Sequence, residues 1–226
     1  LWGLLPEVVV SGSFEGSCNK FAVQNFLALQ NLSRLDGLLI GPGIGGDKQN
    51  WLFFKGLLQD FDGLLVLDAD AINQLAFSDE GWHWIKERKG PTWITPHLSE
   101  FRRLFPAIDR SSFLNAAIEA AELSGATVLL KGAHSVIADP NGIAWQLGDT
   151  APWVARAGLG DLLAGFVLGA GALAMGSGQG VSSEVLATAA FLHSQAGLRC
   201  TEGSSSSCIA KSLESLTRKI QTISTP

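Results

Sequence analysis

A chain of 226 residues is long enough for one sizeable α/β domain and short for two. Hydrophobic residues make up 46% and charged residues 16%, a balance that fills a core and excludes global disorder. The formal net charge of -5 argues against nonspecific binding to nucleic acid or to an anionic membrane. A phosphorylated ligand would then depend on local positive potential from helix N-termini, backbone N–H groups and single lysines.

In chain order, Val8-Val9-Val10 predicts a short strand between Pro6 and Ser11. Lys20 to Leu32 carries apolar residues at helical spacing, and Leu38-Leu39-Ile40 predicts a buried strand ending in a glycine-rich turn. A helix over 48–58 and a strand over Leu64-Leu65-Val66-Leu67 follow. Asp70 to Ala76 reads as a helix opening, and Thr92-Trp93-Ile94 as a strand before Pro96. Helices over 100–105 and 112–124, a strand over 127–130 and a hairpin over 135–147 around Asp139-Pro140-Asn141-Gly142 come next. From Asp161 onward the chain reads as helices near 161–175, 182–199 and 208–221. Strands apolar throughout, alternating with helices, imply a mostly parallel sheet covered on both faces, whose ligands bind beyond the carboxyl ends of the strands.

The segment Leu162 to Gly176 is apolar but shorter than the roughly 20 residues of a spanning helix, so it is expected to be a buried core helix. The N-terminus has neither the basic region nor the apolar core of a signal peptide. Cys18, Cys200 and Cys208 read as reduced thiols of a cytoplasmic protein, and the four scattered histidines suggest no zinc site.

Five segments carry the candidate chemistry. Gly41-Pro42-Gly43-Ile44-Gly45-Gly46 links a strand to a helix, where glycines admit a ligand to the backbone or simply make a tight turn. Asp68 and Asp70 lie at the next strand end; Asp70 reads as a helix cap, and Asp68 stays open between a ligand role and a structural one. His97 and Glu100 sit where Thr95-Pro96 turns into a helix, with the glutamate in a first turn that suits negative charge. Lys131-Gly132 offers either a point charge for a phosphate or an ordinary exposed lysine at a turn. The fifth is Ala157-Gly158-Leu159-Gly160-Asp161, before a long apolar helix. Its glycines bare the first N–H groups as an anion hole, and Asp161 at its edge is either a proton acceptor or a cap. Gly165 and Gly169, four residues apart, suggest close packing of that helix on a neighbour.

In this order the five segments resemble the motif series of the NAD(P)H-hydrate dehydratases, over nearly the whole chain. The resemblance implies a ribokinase-like three-layer α/β/α sandwich with a mostly parallel central sheet, here one domain over 1–226. It implies nucleotide-dependent dehydration of hydrated NADH or NADPH, with ADP or ATP as co-substrate and Mg²⁺ accompanying the nucleotide. Gly43, Gly45, His97, Glu100 and Arg103 would contact the hydrated dinucleotide. Lys131, Gly132, Ala133, His134 and Ser135 would hold the nucleotide, with Gly158 and Gly160 around its phosphates, and Asp161 would be the catalytic base that also touches the substrate. A homo-oligomer is compatible with this reading.

The sequence departs from the family at three places: Leu159 replaces the usual serine or threonine between the two glycines, Leu98-Ser99 replace a proline and glycine, and the usual opening strands do not precede Leu1. A truncated domain with an exposed sheet edge or apolar face is therefore expected. The alternatives are a ribokinase-like small-molecule kinase for a thiazole or pyrimidine substrate, an inactive nucleotide-binding remnant, and a Rossmann oxidoreductase.

Overall fold

The structure, a computed structural model, describes residues 32–149 and 158–223. The strand expected at Val8-Val9-Val10 and nearly all of the helix expected over 20–32 lie outside them. The described chain opens with a 3₁₀ turn, Leu32–Arg34. It continues through β1 (Gly37–Ile40), α1 (Lys48–Leu58), β2 (Leu64–Leu67), α2 (Ala69–Ala76), α3 (His83–Lys86) and β3 (Thr92–Ile94). Then come α4 (Leu98–Leu104), α5 (Phe113–Ser124), β4 (Thr127–Leu130), β5 (Val136–Ala138) and β6 (Ala144–Gln146). Three helices close it: α6 (Leu159–Gly176), α7 (Ser183–Leu198) and α8 (Ser206–Ile223). The sequence reading lacks α3, a single turn too short to show periodicity.

The six strands form one sheet in chain order, β1 to β4 parallel and β4–β5–β6 an antiparallel meander. Successive side chains of a strand point to opposite faces, so each apolar strand feeds two cores. Leu65 and Leu67 join Ile94, Val128 and Leu130 beneath helices α1 to α5. Leu64 and Val66 join Trp93, Leu129 and Ile137 beneath α6 and α7. This is the expected α/β/α sandwich, and it explains why the strands read as unbroken apolar runs. Among the described residues β1 pairs only with β2, and its first three residues are half-exposed.

Two expectations for α6 are corrected. It is not buried all round: only a stripe of Ala164, Val167, Gly171 and Ala174 is buried, and Leu173 is 75% exposed. Nor do Gly165 and Gly169 make a close approach, since a Cβ on either would meet nothing within 4 Å. The close glycine is Gly171, where a Cβ would come within 2.3 Å of Leu64 and 2.9 Å of the Trp93 ring. Spacing on one helix identifies a face, but only the partner sheet decides which position on it is crowded. At 18 residues and hydropathy 1.6, α6 is long and apolar enough to cross a membrane by length and composition. Its buried stripe lies on β1 and β2, the packing of a helix against a sheet.

Candidate functional site

Parallel strands in a common register bring the motif-bearing turns to one edge of the sheet. The Asp68 N–H donates to the Ile40 carbonyl, Thr95 to Leu67 and Lys131 to Pro96 at 2.8–3.1 Å, so pairing extends beyond the strand ends. A backbone bridge sets His97 beside Lys131.

At the centre, Lys131 Nζ lies 2.7 Å from Asp68 Oδ1, and the carboxylate is 2% exposed. The ammonium is therefore not an ordinary surface lysine: Asp68 holds it in place, and its side chain is 20% exposed. The contact also resolves Asp68 as an ion-pair partner. Asp68 occupies the N-cap position of α2 without a side-chain cap bond, and Ala69 follows at φ 48°. A left-handed non-glycine residue stores strain where β2 turns into α2.

Asp70 is corrected from cap to tether. It lies within the first turn of α2, and its Oδ2 accepts from the Gly45 N–H at 2.9 Å. Gln74 Nε2 donates to the Gly45 carbonyl at 3.1 Å, so both polar groups of the Gly45 peptide are engaged. Gly43 stands exposed with open space where a Cβ would be. Gly41, which the resemblance does not number among the substrate contacts, takes the tight-turn role. Its φ is +135°, and a Cβ there would lie 1.7 Å from the Asp68 carbonyl oxygen. Only glycine admits that approach of the turn to the end of β2.

His97 is the N-cap of α4. Its Nδ1 accepts from the Ser99 and Glu100 N–H groups at 3.1 and 3.3 Å. Glu100 Oε2 accepts from the His97 N–H at 2.8 Å, completing a reciprocal capping box, and Oε1 lies 3.2 Å from Nε2. The family's proline-glycine pair is absent at Leu98-Ser99, yet the helix start is satisfied. Arg103 points elsewhere, donating to Asn73 Oδ1 of α2 at 2.7 Å.

Glu100 is 4% exposed, and burial raises its carboxyl above the usual range, opposed by the hydrogen bond from His97 and by Lys131. The folded chain therefore holds this proton to higher pH than the unfolded chain. Stability is lost as pH rises from the ordinary carboxylate range through the folded pKa. Glu100→Gln removes that loss. Relative to the parent, the variant is expected to be more stable at about pH 7 than at about pH 4. Urea unfolding at the two pH values measures this, and an identical difference at both would refute the burial account.

A cavity of about 440 Å³ opens between β4, the β4–β5 turn, α6 and α7, within the range of small-molecule sites. Lys131, Gly132, Ala133 and Ser135 line one wall, and Leu159, Gly160 and Leu163 another. Leu129, Leu147, Asp149, Ala190, His193 and Ser194 complete it. Its residues from β4 to Ser135 form one stretch because the Ser135 hydroxyl closes the turn onto both backbone groups of Gly132. His134 is not among the lining residues: it is exposed, with Nδ1 3.4 Å from the Leu147 carbonyl oxygen. Burial pushes His193 down to about 4, opposed by a hydrogen bond to the Leu159 backbone, so its ring is neutral near pH 7. Asp149, His193 and Ser194 carried no sequence signal. The last two lie in a helix whose pattern reads as packing, and Asp149 is held there by Ser194 Oγ on its carbonyl and Gln195 Nε2 on its carboxylate.

Gly158 is the N-cap of α6 at φ +81°, and Gly160 already lies inside the first turn instead of before the helix. A Cβ on Gly160 would sit 3.9 Å from Lys131 Nζ, so the lysine stands at the amino end of α6, where bare N–H groups and the dipole favour an anion. Asp161 is exposed in that same turn. It lines a shallow recess between α6 and α8 with Leu162, Gly165, Phe166 and residues of α8, adjoining but separate from the cavity. Leu159 presents a hydrocarbon where a hydroxyl is usual, and it packs toward Ala196 and Ile209. Among the described residues no group of three His, Cys, Asp or Glu side chains could hold a metal ion.

The family model described as NAD(P)H-hydrate dehydratase matches residues 5–221. A bifunctional NAD(P)H-hydrate repair enzyme of Synechocystis is 40% identical over 200 residues, which is 87% of this chain and 36% of that protein. Its namesake in Thermofilum pendens is 33% identical over 85% of this chain and 36% of that protein. The chain thus spans about a third of the length of these relatives. A ribokinase-like superfamily protein of Enterococcus faecalis superposes with TM-score 0.75 over 96% of this chain and 72% of that one, at 24% identity. The ADP/ATP-dependent NAD(P)H-hydrate dehydratase of Bacillus subtilis, co-crystallised with ATP and Mg²⁺, superposes with TM-score 0.62 over 79% and 64%, at 23% identity. The two structures support the ribokinase-like fold. With the family model matching nearly end to end, the chain belongs to the NAD(P)H-hydrate dehydratase family.

Proposed function

We propose that this chain dehydrates hydrated NADH or NADPH in a reaction driven by ADP or ATP, restoring the dihydronicotinamide. The observation that carries the reading is the Lys131 ammonium, held by Asp68 at the cavity wall and facing the amino end of α6. That pairing of a fixed cation with a helix N-terminus suits the phosphates of a nucleotide lying along Lys131, Gly132, Ala133 and Ser135. Gly158 and Gly160 shape the turn that would receive the terminal phosphates.

In this reading the dinucleotide approaches from the glycine loop, over Gly43 and the capped turn of His97 and Glu100. Gly45 and Arg103 support that side through their contacts with α2. Asp161 takes the proton of the substrate hydroxyl as its oxygen attacks the terminal phosphorus, and ADP leaves from ATP, or AMP from ADP. The resulting phosphate ester is a better leaving group than hydroxide, and its elimination with loss of the ring proton restores the double bond. The described side chains offer no three-ligand metal cluster, so Mg²⁺ fits as an ion carried by the nucleotide's phosphates, where it neutralises charge. A cytoplasmic location is part of the same proposal, and a homo-oligomeric state is compatible with it.

Incubating the purified chain with hydrated NADH, Mg²⁺ and ADP or ATP is expected to regenerate the near-ultraviolet absorbance of the dihydronicotinamide. Phosphorylation of a thiazole or pyrimidine alcohol instead would assign a kinase. Nucleotide binding without either product would identify a non-catalytic remnant.

A further inference from the structure

Among the described residues, three buried side-chain nitrogens lack a hydrogen-bond partner: Nε1 of Trp51, Nε1 of Trp84 and Nε2 of His193. The two tryptophans meet edge to face in the core beneath α1 to α5, away from the cavity. His193 is different, because it is one of the residues that line the cavity. It stands on α7 one turn from Ala190 and beside Ser194, opposite the apolar side chains of Leu129, Leu147 and Leu163. A buried polar atom left without a partner is destabilising, and a residue serving only to pack would do better as a hydrocarbon. Burial keeps this imidazole neutral near pH 7, so it is no counter-charge for a phosphate, the part that the nucleotide reading gives to Lys131. A neutral imidazole offers one donor and one acceptor in the plane of a flat ring. Set in an apolar wall, that combination matches a heterocyclic base, which has in-plane polar atoms and two apolar faces.

We propose that His193 is a nucleotide-binding residue that turns its unpartnered ring nitrogen onto the heterocyclic base, an assignment resting on the nucleotide reading of this cavity. Nε2 is buried in the folded chain, so this contact requires the ring to turn toward the cavity that His193 lines. The ligand then supplies the hydrogen bond that the folded chain withholds, and the free protein carries the cost of the unsatisfied atom in advance.

The test uses the 226-residue chain with ¹⁵N-labelled histidine, and ADP as the probe. ADP is expected to shift the His193 Nε2 resonance, and inorganic pyrophosphate is expected to leave it in place. His193→Phe is expected to bind ADP about tenfold more weakly by calorimetry, while its thermal midpoint stays level or rises because the unpaired atom is gone. A structural histidine would show the opposite pattern, a lower midpoint with unchanged affinity. If the parent chain binds no ADP, the nucleotide reading fails and this inference falls with it. If the parent binds ADP but the Nε2 resonance stays still, or moves equally with pyrophosphate, the base contact is refuted while the nucleotide reading stands. The resonance test needs no variant, so it decides the matter even if His193→Phe does not fold.

Discussion

Asp161→Asn is expected to lower turnover about a thousandfold, the scale of losing a general base, while unfolding free energy changes by a few tenths of a kcal/mol. The two halves of this expectation have separate causes. Asp161 is exposed in the first turn of α6 and makes no cap hydrogen bond, since Gly158 occupies the N-cap. Its contribution to stability is therefore confined to the attraction of a carboxylate to the helix dipole. Asparagine keeps the shape and polarity but cannot accept the proton. Nucleotide affinity should hold, because the cavity wall is built from Gly160 and Lys131 and does not include the carboxylate. Single-turnover kinetics, a urea titration and ADP calorimetry measure the three quantities. A variant that turns over normally yet loses about 1 kcal/mol of stability would show that Asp161 serves the helix alone.

Arg88→Met should cost about 3 kcal/mol of stability, the largest structural effect expected of a single change away from the site. The guanidinium is 8% exposed and donates to the carbonyls of Leu58, Phe61 and Gly63 and to the Thr92 hydroxyl. It joins the end of α1 to the starts of β2 and β3, and it lies over the Phe61 and Trp84 rings. Burial pushes it down to about 10, which still leaves it cationic near neutrality. Two effects compete in the variant. Removing a desolvated cation is favourable, but methionine takes the side-chain donor from the Phe61 and Gly63 carbonyls, while Leu58 keeps the Phe61 N–H. The second is expected to win because each buried acceptor left unpaired costs about 1–3 kcal/mol. Urea unfolding checks it, and a loss below about 1 kcal/mol would mean that the carbonyls find other partners.

Legibility in the sequence follows the range of the interactions involved. The strands at 38–40, 64–67, 92–94 and 127–130 and the long helices stand where their apolar runs and spacing predict, to within a few residues. The His97 turn was readable in part: Glu100 does stand in a helix's first turn, but the helix opens two residues earlier and His97 caps it in a reciprocal box that the sequence reading did not contain. By contrast, Asp70 looked like a cap because an acid near a helix start usually is one. Its hydrogen bond goes instead to Gly45, 25 residues earlier. Gly41 and Gly171 matter more than their neighbouring glycines for the same reason, since crowding depends on what the sheet sets against them.

By itself the amino-acid sequence determined the order of the strands and long helices, the mostly parallel character of the sheet and the placing of the glycine, Asp68, His97 and Lys131 turns at the carboxyl ends of strands. Those features depend on periodicity and turn chemistry within a dozen residues or so. Only the tertiary structure decided that Lys131 is clamped by Asp68, 63 positions away. It also decided that His193 borders the nucleotide-sized cavity and that Asp161 opens on its neighbour. These are meetings of separate elements, and their energies come from burial and Coulomb attraction across a fold that no local pattern encodes.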